Sequence, residues 1–237
     1  MDPKPTANDF INELKTLQSD AEKKKIRRYF KGDDSDNRVL GVRMKHTFDL
    51  AKEFSRGMSP DEINKLLDSS YYEGRMGAVS IMDFQVRPKS VSEEYRKVLF
   101  DLYINRHDRI NNWDFVDRAA PRVIGGYLFD FKKPRDILYK LANSANQWER
   151  RTAIVSTLLF IRKGETDDTF KIAEQLLNDD KEYVLKAIGT SLREAGKQNN
   201  ELLLDFLEKH AARMERKTLT TAMEKLSKEQ KNYFRSK

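Results

Sequence analysis

Apolar residues recur along this 237-residue chain at intervals of three and four, the spacing of one helical face, and I-to-I+2 alternation with hairpin turns is missing. Phe10, Ile11, Leu14 and Leu17 form the first stripe. Ser59 followed by Pro60 reads as an N-cap and a first-turn proline ahead of Ile63, Leu66 and Leu67. Ser90 with Glu93 three residues on is a capping-box signature preceding Tyr95, Val98, Leu99 and Leu102. Asn146 with Glu149 opens a helix carrying Ile154, Val155, Leu158 and Ile161, which Gly164 ends. Val184, Leu185, Ile188 and Leu192 mark another face, and Leu202, Leu203, Phe206 and Leu207 the next. The last helix carries Leu219, Met223 and Leu226. The expected fold class is all-α.

Connections between these stripes are short, as between antiparallel neighbours. Helix pairs recur at roughly 35–42 residues, which fits a single curved solenoid of HEAT-like pairs better than a four-helix bundle. Lys31 to Arg38 (KGDDSDNR) is the clearest long loop, and Pro121, Pro134 and Gly125-Gly126 read as kinks or helix junctions. No linker rich in Pro, Gly or Ser divides the chain, so one domain over 1–237 is expected, its first 20 residues an N-terminal helix that packs loosely.

Composition sharpens this picture. Charged residues make up 35% and hydrophobic ones 38%, against typical values of roughly 25% and 45–50%. That surplus suits an elongated structure with much surface per residue. The 45 Lys+Arg and 38 Asp+Glu leave +7, concentrated at two ends: residues 21–45 carry +5 and 209–237 carry +6, so the rest is net −4. Two basic ends suit a phosphate backbone, and they equally suit solvated helix faces. With no cysteine, disulfides, thiolate nucleophiles and cysteine-bound metals are excluded. His46, His107 and His210 lack metal-ligand spacing, and no glycine-rich phosphate loop is present, so neither metal nor cofactor is expected. The longest apolar run, Ala153 to Ile161, is too short to span a membrane. MDPKPTANDF lacks the features of a secretion signal. A soluble, cytoplasmic monomer is the expectation.

What chemistry remains must come from aromatic, acidic and arginine residues on helices. In Asn111-Asn112-Trp113-Asp114-Phe115-Val116-Asp117, Asn112 can cap, and Trp113 and Asp117 then share one face at i and i+4, with Phe115, Val116 and Ala119 free to pack. Asp117 precedes Arg151 by 34 residues and Arg151 precedes Arg193 by 42, so stacked repeats can bring the three onto one surface. Lys186, Thr190, Arg193 and Lys197 make a polar, basic stripe opposite Val184, Ile188 and Leu192. Plainer roles fit the same residues: Trp113 as core, Asp117 paired with Arg118 or Arg122, Arg151 in a surface ion pair.

Four segments carry a further signal in order: NNWDFVDRAAPRVIGGYL (111–128), WERRTAIVSTLLFIRKGETDDTFKIAEQLLND (148–179), KAIGTSLREAGK (186–197) and MERKTLTTAMEKLS (214–227). In these the chain resembles the HEAT-like-repeat DNA glycosylases of the AlkD type, the DNA alkylation repair enzymes, from about Tyr29 onward. The resemblance implies hydrolysis of the N-glycosidic bond of cationic alkylated purines, such as 3-alkyladenine and 7-alkylguanine, in double-stranded DNA. By it, the catalytic aspartate falls on Asp117, the active-site tryptophan on Trp113, an aromatic near the lesion on Tyr29, and two DNA-facing arginines on Arg151 and Arg193. Lys186 and Lys197 extend the DNA-binding stripe. Where the family usually has a second tryptophan this chain has Thr190, which leaves open a non-catalytic protein binding damaged or branched DNA. A protein-interaction scaffold is the third reading.

Overall fold

The computed structural model describes residues 4–28, 30 and 37–237, whose regular structure is all helical, with one isolated bridge between Arg38 and Tyr71 and no strand. Tyr29 and most of the 31–38 loop lie outside the described residues. The chain groups into two compact units, 1–119 and 120–237.

The first unit is organised around one buried helix. It contains α1 (Ala7–Thr16), α2 (Asp20–Arg27), α3 (Met44–Phe54), α4 (Pro60–Leu67), α5 (Tyr72–Gln85), α6 (Glu93–Asn105) and α7 (Trp113–Ala120), at whose end the second unit begins. Helix α5 packs against α1, α3 and α4 and is buried from Tyr72 to Asp83. The N-terminal helix is not loose. Phe10 and Leu14 of α1 are wholly buried, and Phe10 meets the Phe54 ring edge-on at 5.1 Å. A Cβ at Gly77 would lie 2.2 Å from the Phe10 ring, so only glycine lets α1 settle here.

Burying α5 also buries its polar side chains, which then require partners. The Glu73 carboxylate accepts from the backbone N–H groups of Leu40 (3.0 Å), Gly41 (2.8 Å) and Val42 (3.2 Å). That pins a non-helical segment, with Gly41 at φ +93°, against the core. The Gly41 carbonyl in turn accepts from Ser19 N–H at 2.9 Å, just before α2. Helix α2 itself has no buried residue and depends on such contacts.

The second unit begins with Pro121, which has no N–H for the carbonyl four residues back, and the helix widens there into a π segment (Pro121–Gly125). Gly126 N–H reaches back five residues to the Pro121 carbonyl. Gly125 is held so close to the Ser156 carbonyl that a Cβ would stand 2.3 Å from it. After α8 (Gly126–Asp130), the helices α10 (Gln147–Arg162), α12 (Glu182–Gln198) and α14 (Arg216–Ala222) pack side by side. Helices α9 (Asp136–Ala142), α11 (Asp167–Gln175) and α13 (Asn200–His210) form a second layer against them. Helix α15 (Lys228–Arg235) follows.

Most terminus signals hold. Ser59 caps α4 and Asn146 caps α10. Gly164, at φ +86°, ends α10 in a Schellman arrangement, with Glu165 N–H on Phe160 O and Gly164 N–H on Ile161 O. Two expectations need correcting. The cap of α6 is Ser92, which accepts from Tyr95 N–H at 3.3 Å, in place of Ser90. Leu226 closes the turn after α14, and a further helix follows from a Ser227–Gln230 capping box; its only buried residue is Phe234, too little to make a stripe.

Replacing Glu73 by Ala leaves three backbone donors without their carboxylate. Urea unfolding should show a loss of about 3 kcal/mol or more, and the 38–42 amides should lose hydrogen-exchange protection before those of α5.

Candidate functional site

Helix α7 begins where Asn112 Oδ1 accepts from Trp113 N–H at 2.8 Å. Its inner residues Phe115, Val116 and Ala119 are wholly buried, which leaves Trp113 (38% exposed) and Asp117, also exposed, one turn apart on the outer face. The expected pairing of these two is therefore present in the first unit. The face is held from beneath. Tyr72 stacks on Phe115 (5.4 Å, 27°), and the Arg75 guanidinium lies 5.3 Å from the same ring while donating to Asn111 Oδ1 at 2.9 Å. Arg118 turns toward α5, donating to Ser80 at 2.9 Å and pairing with Asp83 at 3.2 Å, between the Phe48 and Phe84 rings.

Asp114 is the acid that the sequence reading passed over. It turns toward α5, where Tyr72 OH donates to Oδ2, while Oδ1 accepts from Phe115 N–H at 2.9 Å. Burial pushes its carboxyl up to about 6, although both hydrogen bonds pull the other way; nearby Asp117 adds to the rise. The Tyr72 phenol is pushed up as well, by burial and then by Asp114.

In the second unit the α12 stripe is present as read. Val184, Ile188 and Leu192 are buried, and Lys186, Thr190, Arg193 and Lys197 lie along the opposite side, Thr190 half-exposed. Its charge is largely answered within the protein. Lys186 pairs with Glu182 (2.7 Å), Arg193 with Glu224 (2.6 Å) and Glu194 (3.1 Å), and Lys197 with Glu194 (2.8 Å). Hydrogen bonds from Lys225 and then Arg193 hold the Glu224 carboxyl down at about 2.

Arg151 is different: only 6% exposed, it donates to the Tyr183 carbonyl. Helices α10, α12 and α14 meet at near-constant offsets, Arg151 with Tyr183 (32 residues), Leu185 with Thr218 (33) and Arg193 with Glu224 (31). Arg151 thus lies beside Tyr183, ten residues before Arg193 and about 15 Å away along the α12 axis. The expectation that Arg151 and Arg193 sit side by side fails for this reason: 42 residues overshoots the repeat. Tyr183, tilted against Trp148 at 5.6 Å, begins the stripe one step before Lys186. Among the described residues no group of His, Asp and Glu is placed to hold a metal ion, and no helix is long and apolar enough to cross a membrane.

An all-α chain of stacked helix pairs, with an exposed acid beside an exposed tryptophan and an arginine- and lysine-bearing helix face, defines the class. Residues 10–226 match the family model of DNA alkylation repair enzymes, and the chain belongs to that family. A solved structure described as a predicted DNA alkylation repair enzyme from Enterococcus faecalis is similar in fold: TM-score 0.73 at 17% identity, over 90% of this chain and 98% of that one. No curated protein matches the chain.

The two charged neighbours on α7 should separate cleanly in stability. Arg118→Ala removes a bonded partner of buried Asp83 and should cost about 2–3 kcal/mol by denaturant titration. Asp117→Asn, on the exposed face, should change it by about 1 kcal/mol or less.

Proposed function

We propose that the protein is a DNA glycosylase that hydrolyses the N-glycosidic bond of cationic alkylated purines, such as 3-alkyladenine and 7-alkylguanine, in duplex DNA. The observation that carries the reading is the exposed Trp113–Asp117 pair, held outward by a buried network, in a chain of the DNA alkylation repair family.

The chemistry follows from charge. Alkylation of a ring nitrogen makes the purine cationic, so it departs as a neutral base and needs no general acid. The C1′–N bond breaks, the electron pair leaves with the base, and the sugar becomes oxocarbenium-like. Water then adds at C1′ and loses its proton, giving an abasic sugar, free base and one proton. Asp117 stabilises the cation and orients the water, the role of a preorganised counter-charge. Trp113 lies against the sugar or base. By the resemblance, Tyr29 is an aromatic near the lesion. Lys186, Arg193 and Lys197 bind phosphates, and Arg151, through its contact with Tyr183, braces that face from within.

A second reading has its own support. Thr190 offers no aromatic wall, and each of Lys186, Arg193 and Lys197 already has a carboxylate partner that phosphate must displace. A non-catalytic binder of damaged DNA fits these facts. Incubation with duplex DNA containing 7-methylguanine, followed by chromatography of released base, decides between them.

Asp117→Asn should lower excision by about 10²-fold while DNA affinity holds or rises; wild-type excision by the variant would falsify the assignment. Arg193→Ala should weaken binding to any duplex and reduce the slope of log K against log salt by about one unit, as read by anisotropy across a salt series. Thr190 is half-exposed, so Thr190→Trp should fold, and by adding a cation–π contact should raise excision about ten-fold without creating activity on uracil.

A further inference from the structure

We propose, resting on the glycosylase reading, that Tyr72 and Asp114 together form the positioning device of the α7 face. The pair fixes the first turn of α7 so that Trp113 and Asp117 face outward together, and ionised Asp114 adds a second negative charge one helix turn from Asp117.

The geometry is specific. An acid in the first turn of a helix is favoured by the exposed N–H groups and the dipole there, and it ordinarily points to water. Asp114 instead points inward and uses both carboxylate oxygens, one on Phe115 N–H of its own helix and one on the Tyr72 hydroxyl of α5. Tyr72 has little freedom to point elsewhere. The residue is 6% exposed, its ring lies against Phe30 edge-on (5.1 Å) and Phe115 at a shallow angle (5.4 Å), and its backbone N–H donates to Arg38 O at 2.8 Å. The hydrogen bond therefore ties the start of α7 to a ring that α5 holds rigidly. From α5, Glu73 and Arg75 also act electrostatically on Tyr72, and from α7 itself Asp117 faces Asp114.

This placement makes the charge beside Asp117 depend on pH. Because burial holds the Asp114 carboxyl near 6, it is ionised at pH 8 and largely protonated at pH 5. An oxocarbenium-like sugar outside α7 is stabilised by two negative charges in the first case and loses one of them in the second. Across roughly one helix diameter, about 10–12 Å, the Coulomb attraction of a unit charge screened at an effective dielectric near 20 corresponds to about ten-fold in rate. The same group opposes folding at high pH. Its native pKa is above its unfolded value, so its stabilising contribution is complete below about 4 and is lost as pH rises through 6.

The test is single-turnover release of 7-methylguanine from duplex DNA between pH 5 and 8. The wild type should show an acid limb near pH 6. Tyr72→Phe keeps the ring stack and removes the donor that favours the carboxylate, so its limb should move up by about one unit. Asp114→Asn keeps the shape and should give a flat profile near one tenth of the wild-type rate at pH 8. DNA affinity should be unchanged in both. A rate loss at every pH with an unaltered limb would show a purely structural role and overturn the proposal, and an unmoved limb in Tyr72→Phe decides the matter even if Asp114→Asn fails to fold.

A DNA-free reading separates this from the glycosylase question. The chain has two tryptophans, so Trp148→Phe leaves Trp113, adjacent to Asp114, as sole reporter. Its fluorescence should titrate near pH 6 and stop doing so when Asp114→Asn is added. Titration without base release at any pH would leave the hold on α7 standing and remove its catalytic use along with the glycosylase reading. Base release with no limb and a flat fluorescence profile would remove the Asp114 proposal alone.

Discussion

A helix buried on nearly every side must find partners for its own polar side chains, and α5 carries Glu73, Arg75, Ser80 and Asp83 into the core of the first unit. Each is answered from outside the helix. Glu73 gathers the N–H groups of 40–42, Arg75 reaches Asn111 and covers Phe115, and Ser80 with Asp83 receives Arg118. The loop before α3 and the inward side chains of Asp114, Phe115 and Arg118 on α7 are thus tied to one helix. Leaving any of these groups buried and unmatched would cost more than the hydrogen bond itself contributes, which makes the arrangement close to all-or-none.

The consequence for function is rigidity under an exposed pair. Asp114, Phe115 and Arg118 of α7 are all engaged by α5, so Trp113 and Asp117 are presented on a helix that cannot easily rotate to hide them. A carboxylate serving as a fixed counter-charge gains from that, because it does not have to reorganise as positive charge develops next to it. Asp114 belongs to the same construction from the buried side: two acids of one turn, one facing aromatic rings and one facing out, hold different environments and different tasks.

The second unit handles charge in the opposite way. Its basic stripe is not an open patch but a line of ion pairs, with Glu182, Glu194 and Glu224 standing where an external anion would stand. Exposed pairs of this kind contribute little to stability, so exchanging one carboxylate for a phosphate is a small perturbation of the fold. It also moderates the attraction that a +7 chain would otherwise exert on any polyanion.

How much of this is legible in the sequence can be traced residue by residue. The sequence by itself marks the all-α class, the caps at Ser59 and Asn146, the Gly164 stop, the shared face of Trp113 and Asp117 and the Lys186–Lys197 stripe, because a helix of 3.6 residues per turn decides which residues share a face without reference to any neighbour. That the Trp113 face is the outward one is decided by packing. Helix α15 is not legible, since a single buried Phe234 makes no stripe. Nor is the inward turn of Asp114, the burial of Arg151 under Tyr183, or the capture of Arg193 by Glu224. Those depend on the register between helices, here 31 to 33 residues where the spacing of stripes suggests more. A helix's own sequence determines what it offers on each face. Which offered group meets which partner is decided only when two helices slide to the position where their side chains interlock, and that position is a property of both surfaces together.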